Sequence, residues 1–83
     1  MPKVLHFGID GSQYNRLIVE FERTTQEWRQ RFKAWILNRF PELIQEVFWR
    51  YASDVLVIIV KCGELAFAQT ALKEEIPRRA LFR

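Results

Sequence analysis

The sequence predicts a single small α+β domain with the element order β-β-α-α-β-α. Its 83 residues leave room for one hydrophobic core. Hydrophobic residues make up 49% of the chain, and it holds only 3 glycines and 3 prolines, which excludes a disordered or low-complexity protein. Apolar residues recur at every second position near the start of the chain, which is typical of strands, and at helical spacing in the middle. An apolar run then precedes a last helix. We expect one domain over residues 1–83, with a basic tail at 77–83.

The first two elements are predicted to form a β-hairpin. Residues 4–9 are mostly apolar, Asp10-Gly11 is a turn signal, and apolar residues alternate through 16–22. A tight turn at Asp10-Gly11 and a longer loop reaching Asn15 give opposite strand registers. We favour the longer loop, because it turns three apolar side chains inward: Leu17, Val19 and Phe21.

The middle of the chain predicts a helix pair kinked at a proline. Thr24 and Thr25 supply the helix start, because a threonine hydroxyl can accept a hydrogen bond from an amide three residues on. Four apolar residues then share one helical face: Trp28, Phe32, Trp35 and Ile36. Pro41 ends this helix and suits the first position of a second one. The second helix is expected to carry its own apolar stripe: Leu43, Ile44, Val47, Phe48 and Tyr51.

The last third predicts a buried strand and a short helix. Every residue of 55–60 is apolar, as expected of a central strand that is covered on both faces. A helix after Gly63 buries Leu65, Ala68, Leu72 and Ile76, and Pro77 is expected to stop it. The prediction is therefore a three-stranded mixed sheet packed against the kinked helix pair and the C-terminal helix.

The covering of the central strand leaves two alternatives open. One helical layer covers only one face of a sheet, yet residues 55–60 are apolar toward both faces. Either the C-terminal helix packs on the opposite face, or a second subunit or another partner covers it.

Binding of a protein partner is the function that the sequence favours. On the predicted second helix, Trp49 projects away from the apolar stripe, and exposed tryptophans are enriched in binding hot spots. Alternatively, Leu81 and Phe82 of the tail fold back over this ring. Arg39 falls inside the apolar face of the first helix, where it must stack on a ring, reach a carboxylate or contact a partner. We predict a small protein-interaction or regulatory module that forms homo-oligomers and uses four residues: Trp49, Arg39, Leu81 and Phe82.

Nucleic-acid binding is the alternative function. The chain has 13 Lys and Arg against 10 Asp and Glu, a net charge of +3, which permits binding to phosphates without requiring it. Basic residues interleave with aromatic ones along the first helix, a combination typical of single-stranded nucleic-acid sites. The candidate phosphate contacts are Arg29, Arg31, Lys33, Arg39, Arg78 and Arg79.

The sequence holds no catalytic or metal-binding constellation, so we expect neither an enzyme nor a cofactor. Cys62 lies where a strand gives way to a helix, a position that can lower a thiol pKa. The one histidine, His6, is in another strand, so we expect Cys62 to be a buried structural residue. One cysteine cannot form an internal disulfide, and the longest apolar run, 55–60, is too short to cross a membrane. A cytoplasmic location is expected.

Overall fold

Both helices pack on one side of a four-stranded antiparallel sheet in a computed structural model that describes residues 2–11 and 15–81, apart from the side chains of 77–81. The elements, in chain order, are β1 (Lys3–Ile9), β2 (Arg16–Glu22), α1 (Gln26–Arg39), β3 (Ile44–Trp49), β4 (Val55–Val60) and α2 (Leu65–Leu81). The strand order in the sheet is β1-β2-β4-β3, and all three pairings are antiparallel. This arrangement confirms the α+β class and the inner position of the apolar strand β4.

The predicted second helix is wrong, because residues 44–49 form the edge strand β3. After α1, the amides of Leu43 and Ile44 donate to the carbonyl of Phe40, and this turn sends the chain back along β4. The register shifts at a β-bulge between Ile44 and Glu46, which adds one residue to the strand. Ile44 and Val47 therefore share the inward face at a spacing of three, the spacing of a helical stripe.

The β-hairpin forms with the predicted longer loop. β1 pairs with β2 from Lys3 and Glu22 to Ile9 and Leu17, and the amide of Asp10 donates to the carbonyl of Arg16. Leu17, Val19 and Phe21 are at most 1% exposed. Burial of these three side chains confirms the favoured register.

A single hydrophobic core fills the space between the sheet and the two helices. α1 contributes Phe32 and Ile36, and α2 contributes Ala68, Leu72 and Ile76. α1 lies against β3 and α2 lies against β1. Because both helices contribute to the same core, the alternative that the C-terminal helix covers the opposite face is wrong.

The ends of the helices agree with the sequence at α1 and differ at α2. The Thr25 hydroxyl accepts from the amide of Trp28 and caps α1, and the helix ends before Pro41 as predicted. In contrast, α2 runs through Pro77 to Leu81, so the predicted stop at Pro77 is wrong. Pro77 lies inside α2 and has no backbone amide, so the helix lacks one of its backbone hydrogen bonds there.

Candidate interaction face

The side of the sheet that carries no helix holds five apolar residues. These residues alternate with the core residues along β2, β3 and β4, and none of them belongs to the core. We call this surface the open face and define it by Ile18, Phe48, Val55, Val57 and Ile59. Val57 is fully buried and the other four are half-buried, although no second layer of the described chain covers them. A sheet face this apolar is typical of a surface that is covered by another layer.

The strand register arranges the open face in rows across the sheet. The central row contains Gly8, Ile18, Val57 and Phe48, one from each strand. Ile59 lies in the row on one side, and Val55 lies in the row on the other. His6 and Gly8 also share this face, because a Cβ built on Gly8 would lie only 3.0 Å from Nε2 of His6.

Four charged residues surround the apolar centre, with opposite charges at neighbouring corners. Arg16 and Glu46 both pair with Ile59, one on β2 and the other on β3. Glu20 pairs with Val55, and the amide of Arg50 donates to the Val55 carbonyl. Within the part of the chain that the structure describes, none of these four side chains forms an ion pair.

Arg16 alternates with the core residue Leu17 along β2, and its side chain is half-buried. Its Nε atom is shielded from solvent and has no hydrogen-bond acceptor among the described residues. An unpaired buried donor costs free energy, so the position of Arg16 carries a cost that no contact of the described chain offsets at this atom.

Both edges of the sheet are poorly suited to pairing with another strand. The edge strand β1 has a register shift between Val4 and His6, and β3 has one between Ile44 and Glu46. Bulges of this kind interrupt the hydrogen-bonding row and protect edge strands from further pairing. The open face is therefore a better candidate surface than either edge.

The structure places Trp49 on the core side of the sheet, so its predicted exposure on a helix is wrong. Its ring centroid lies 5.6 Å from that of Phe21 and 6.1 Å from that of Trp28. Its Nε1 donates to the carbonyl of Arg29 at 2.9 Å. These contacts make Trp49 a half-buried extension of the core, and its role in partner binding stays a prediction.

Of the other predicted partner-binding residues, Arg39 has a described side chain. Arg39 is exposed at the end of α1, and its guanidinium carbon lies 5.1 Å from the ring centroid of Phe40, which is the stacking alternative. The side chain of Leu81 and the whole of Phe82 lie outside the described residues.

The aromatic rings that interleave with the predicted nucleic-acid residues of α1 pack toward the core. Phe32 is buried, and Trp28 and Trp35 pack against the core, so these rings are not presented for base stacking. Arg29 contacts Thr24 and Asp54, while Arg31 is exposed and Lys33 half-buried. The side chains of Arg78 and Arg79 lie outside the described part.

A polar cluster ties α1 to the turn between β3 and β4. The Asp54 carboxylate accepts hydrogen bonds from the backbone amide and the hydroxyl of Thr24. Arg29 Nη1 lies 3.8 Å from Asp54 Oδ1 and donates to the Thr24 hydroxyl oxygen at 2.7 Å. The hydrogen bonds from Thr24, and then the charge of Arg29, lower the pKa of Asp54 below its ordinary value. This cluster stabilises the fold and faces away from the apolar centre of the sheet.

Replacement of Asp54 by asparagine is expected to reduce how steeply the free energy of unfolding falls as the pH is lowered. The carboxyl pKa is lower in the folded than in the unfolded state, so its contribution is present above the unfolded pKa and is lost as pH falls through the folded value. Asp54 is 39% exposed, so solvent screening limits the cost of the substitution at neutral pH to about 1 kcal/mol. Urea unfolding from pH 7 to pH 2 measures this, and parallel pH profiles of variant and wild type would contradict it.

The structure also places Cys62 and the other side chains that could bind metal ions. Cys62 is a free, exposed cysteine in the turn after β4, so the prediction that it is buried is wrong. No group of three or more metal-ligating side chains occurs within the described ranges. A shallow depression of about 430 Å³ on the outer side of α2 is lined by Gln69, Thr70, Lys73 and Glu74.

Neither a membrane-spanning helix nor a known relative is found. Among the described residues, no helix combines the length and the hydropathy needed to cross a bilayer. Comparison with protein-family models, curated proteins and solved structures gives no match to this chain.

Proposed function

We propose that this protein is a small protein-interaction module that binds through the open face of its sheet. The observation that carries the proposal is the apolar centre of that face, which no helix of the described chain covers. Apolar residues surrounded by charged ones are typical of protein interfaces, where the centre is dry and the rim is polar. The surface differs from the Trp49 surface that the sequence favours, but the class of function is the same.

The electrostatics of the open face favour a protein partner over nucleic acid. The two arginines and two glutamates around the open face cancel, so the face has no net positive charge to attract phosphates, and the aromatic rings of α1 pack toward the core. The exposed basic residues of α1 would have to bind phosphates without stacking. We also place the protein in the cytoplasm, because its single cysteine is free and exposed.

Site-specific photo-crosslinking in cells that express the protein tests the proposal. A benzophenone amino acid replaces Phe48 on the open face or, as the control, Tyr51, which is 98% exposed in the neighbouring turn. We expect discrete protein adducts from position 48 and few from position 51. Equal adducts from both positions, or none from position 48, would refute binding through the open face.

A further inference from the structure

The four charged corners of the open face match a rotated copy of the same face. Arg16 and Glu20 lie toward opposite ends of β2, and Glu46 and Arg50 lie toward opposite ends of β3, with the central row between them. The signs alternate around this rectangle, so the four charges cancel. A strongly acidic or strongly basic partner would meet repulsion at two of the corners.

We propose that the partner of the open face is a second copy of this chain, packed sheet against sheet about a two-fold axis. This proposal rests on the proposed function and names its partner. The axis lies along the central row and crosses the strands. Rotation about it brings Arg16 onto Glu20 of the second copy, and Glu46 onto Arg50. A two-fold interface repeats each contact, so the dimer gains two pairs of each kind.

An axis along β4 would also bring opposite charges together, but it overlaps the sheets less well. β4 has β2 and β1 on one side and only β3 on the other. Rotation about β4 therefore leaves β1 without a strand opposite it, whereas rotation about the central row places every strand over its counterpart. The cross-strand axis covers the whole sheet and is the geometry we assign.

The dimer supplies what the isolated chain lacks at two places. Val55, Val57 and Ile59 gain a second apolar layer, at the ~10 Å spacing at which sheets stack. The guanidinium of Arg16, which has no ion pair among the described residues, gains a carboxylate partner from Glu20 of the second copy. The bulged edges of β1 and β3 take no part in this packing.

The size of the face sets the expected strength of association. Four strands ~4.8 Å apart and five residues ~3.4 Å apart give a face of roughly 19 by 17 Å. A stable interface buries about 800 Å² on each partner, so this face is small. We expect a weak, reversible dimer, because interfaces below about 1,200 Å² in total are typically transient.

Sedimentation equilibrium of the purified chain over a concentration range from about 1 to 500 μM, a span set by the expected affinity, tests the proposal. Arg16→Glu and Glu20→Arg should each weaken the dimer about tenfold or more, because each places like charges opposite one another. The double variant Arg16→Glu/Glu20→Arg should restore wild-type association to within about threefold. Arg31→Glu, on the helical side, makes the same charge change as Arg16→Glu and should leave association unchanged.

A second charge exchange keeps the test valid if the first pair of variants does not fold. Glu46→Arg and Arg50→Glu should again weaken the dimer singly and restore it together, and circular dichroism checks the fold of each variant. A wild-type chain that stays monomeric at every concentration overturns the proposal. A dimer whose association is unchanged by all four single charge reversals overturns it as well. If the chain is monomeric but position 48 crosslinks to a different protein, the second copy is wrong and the interaction module stands. If position 48 gives no adduct at all, the proposed function fails as well.

Discussion

Replacing Phe21 by alanine is expected to lower the free energy of unfolding by about 3–5 kcal/mol. Phe21 is 1% exposed, and its ring centroid lies 5.2 Å from that of Trp28 and 5.3 Å from that of Phe32. It also contacts Trp49, so the truncation leaves a cavity where β2, α1 and β3 meet. Domains of this size have roughly 4–12 kcal/mol of stability, so the loss is a large part of the total.

Urea unfolding followed by circular dichroism measures the effect of this substitution. Phe21→Leu keeps much of the volume and should cost only about 1–2 kcal/mol. Leu5→Ala is the matched surface control, since Leu5 is 56% exposed and its truncation should change stability by at most about 0.5 kcal/mol. A cost for Phe21→Ala no larger than that of the control would show that this aromatic cluster is not part of the core.

The hairpin and α1 could be predicted because local signals and burial agree there. Period-two alternation along β2 leaves one register that buries Leu17, Val19 and Phe21, and the Thr25 cap fixes where α1 begins. In both elements, the residues that define the period are the residues that reach the core. Where the local pattern and the tertiary packing agree in this way, secondary structure can be predicted from the sequence.

β3 could not be predicted because its bulge gives the inward-facing apolar residues the spacing that a helix would have. The extra residue between Ile44 and Glu46 makes the inward positions 44 and 47, three apart, and Trp49 follows two residues later. A bulge forms only when a partner strand is present, and nothing near Pro41 marks it. The wrong assignment of a helix also made the predicted exposure of Trp49 wrong, because its side chain points outward on a helical wheel but inward on the bulged strand.

The candidate site could be predicted only in part for the same reason. The apolar run of β4 places apolar residues on both faces of the sheet, but an amphipathic C-terminal helix can pack on either side of it. The charged corners required the register of β3, because Glu46 and Arg50 belong to a helix in the sequence-based prediction. Arg16 and Glu20 alone, on one strand, give no indication of a self-complementary surface.

Truncation of Trp49 to alanine is expected to destabilise the fold by about 3 kcal/mol without weakening self-association of the folded protein. The ring packs against Phe21 and Trp28 on the helical side of the sheet, away from the open face. Trp49→Phe retains an aromatic ring but removes the Nε1 donor to the Arg29 carbonyl, and should cost about 1 kcal/mol.

Chemical unfolding and sedimentation together separate a core residue from a contact residue at position 49. If Trp49 is a core residue, the free energy of unfolding is lowest for the alanine variant, intermediate for the phenylalanine variant and highest for the wild type. The folded protein then associates equally well in all three. If Trp49 is instead a contact residue on the surface, the unfolding midpoints of the variants equal that of the wild type, and Trp49→Ala no longer forms the dimer. Because Trp49 and Phe48 are neighbours on one strand and point to opposite faces, Phe48→Ala is the matched comparison. It should weaken association more than it lowers stability, since only Phe48 lies on the open face.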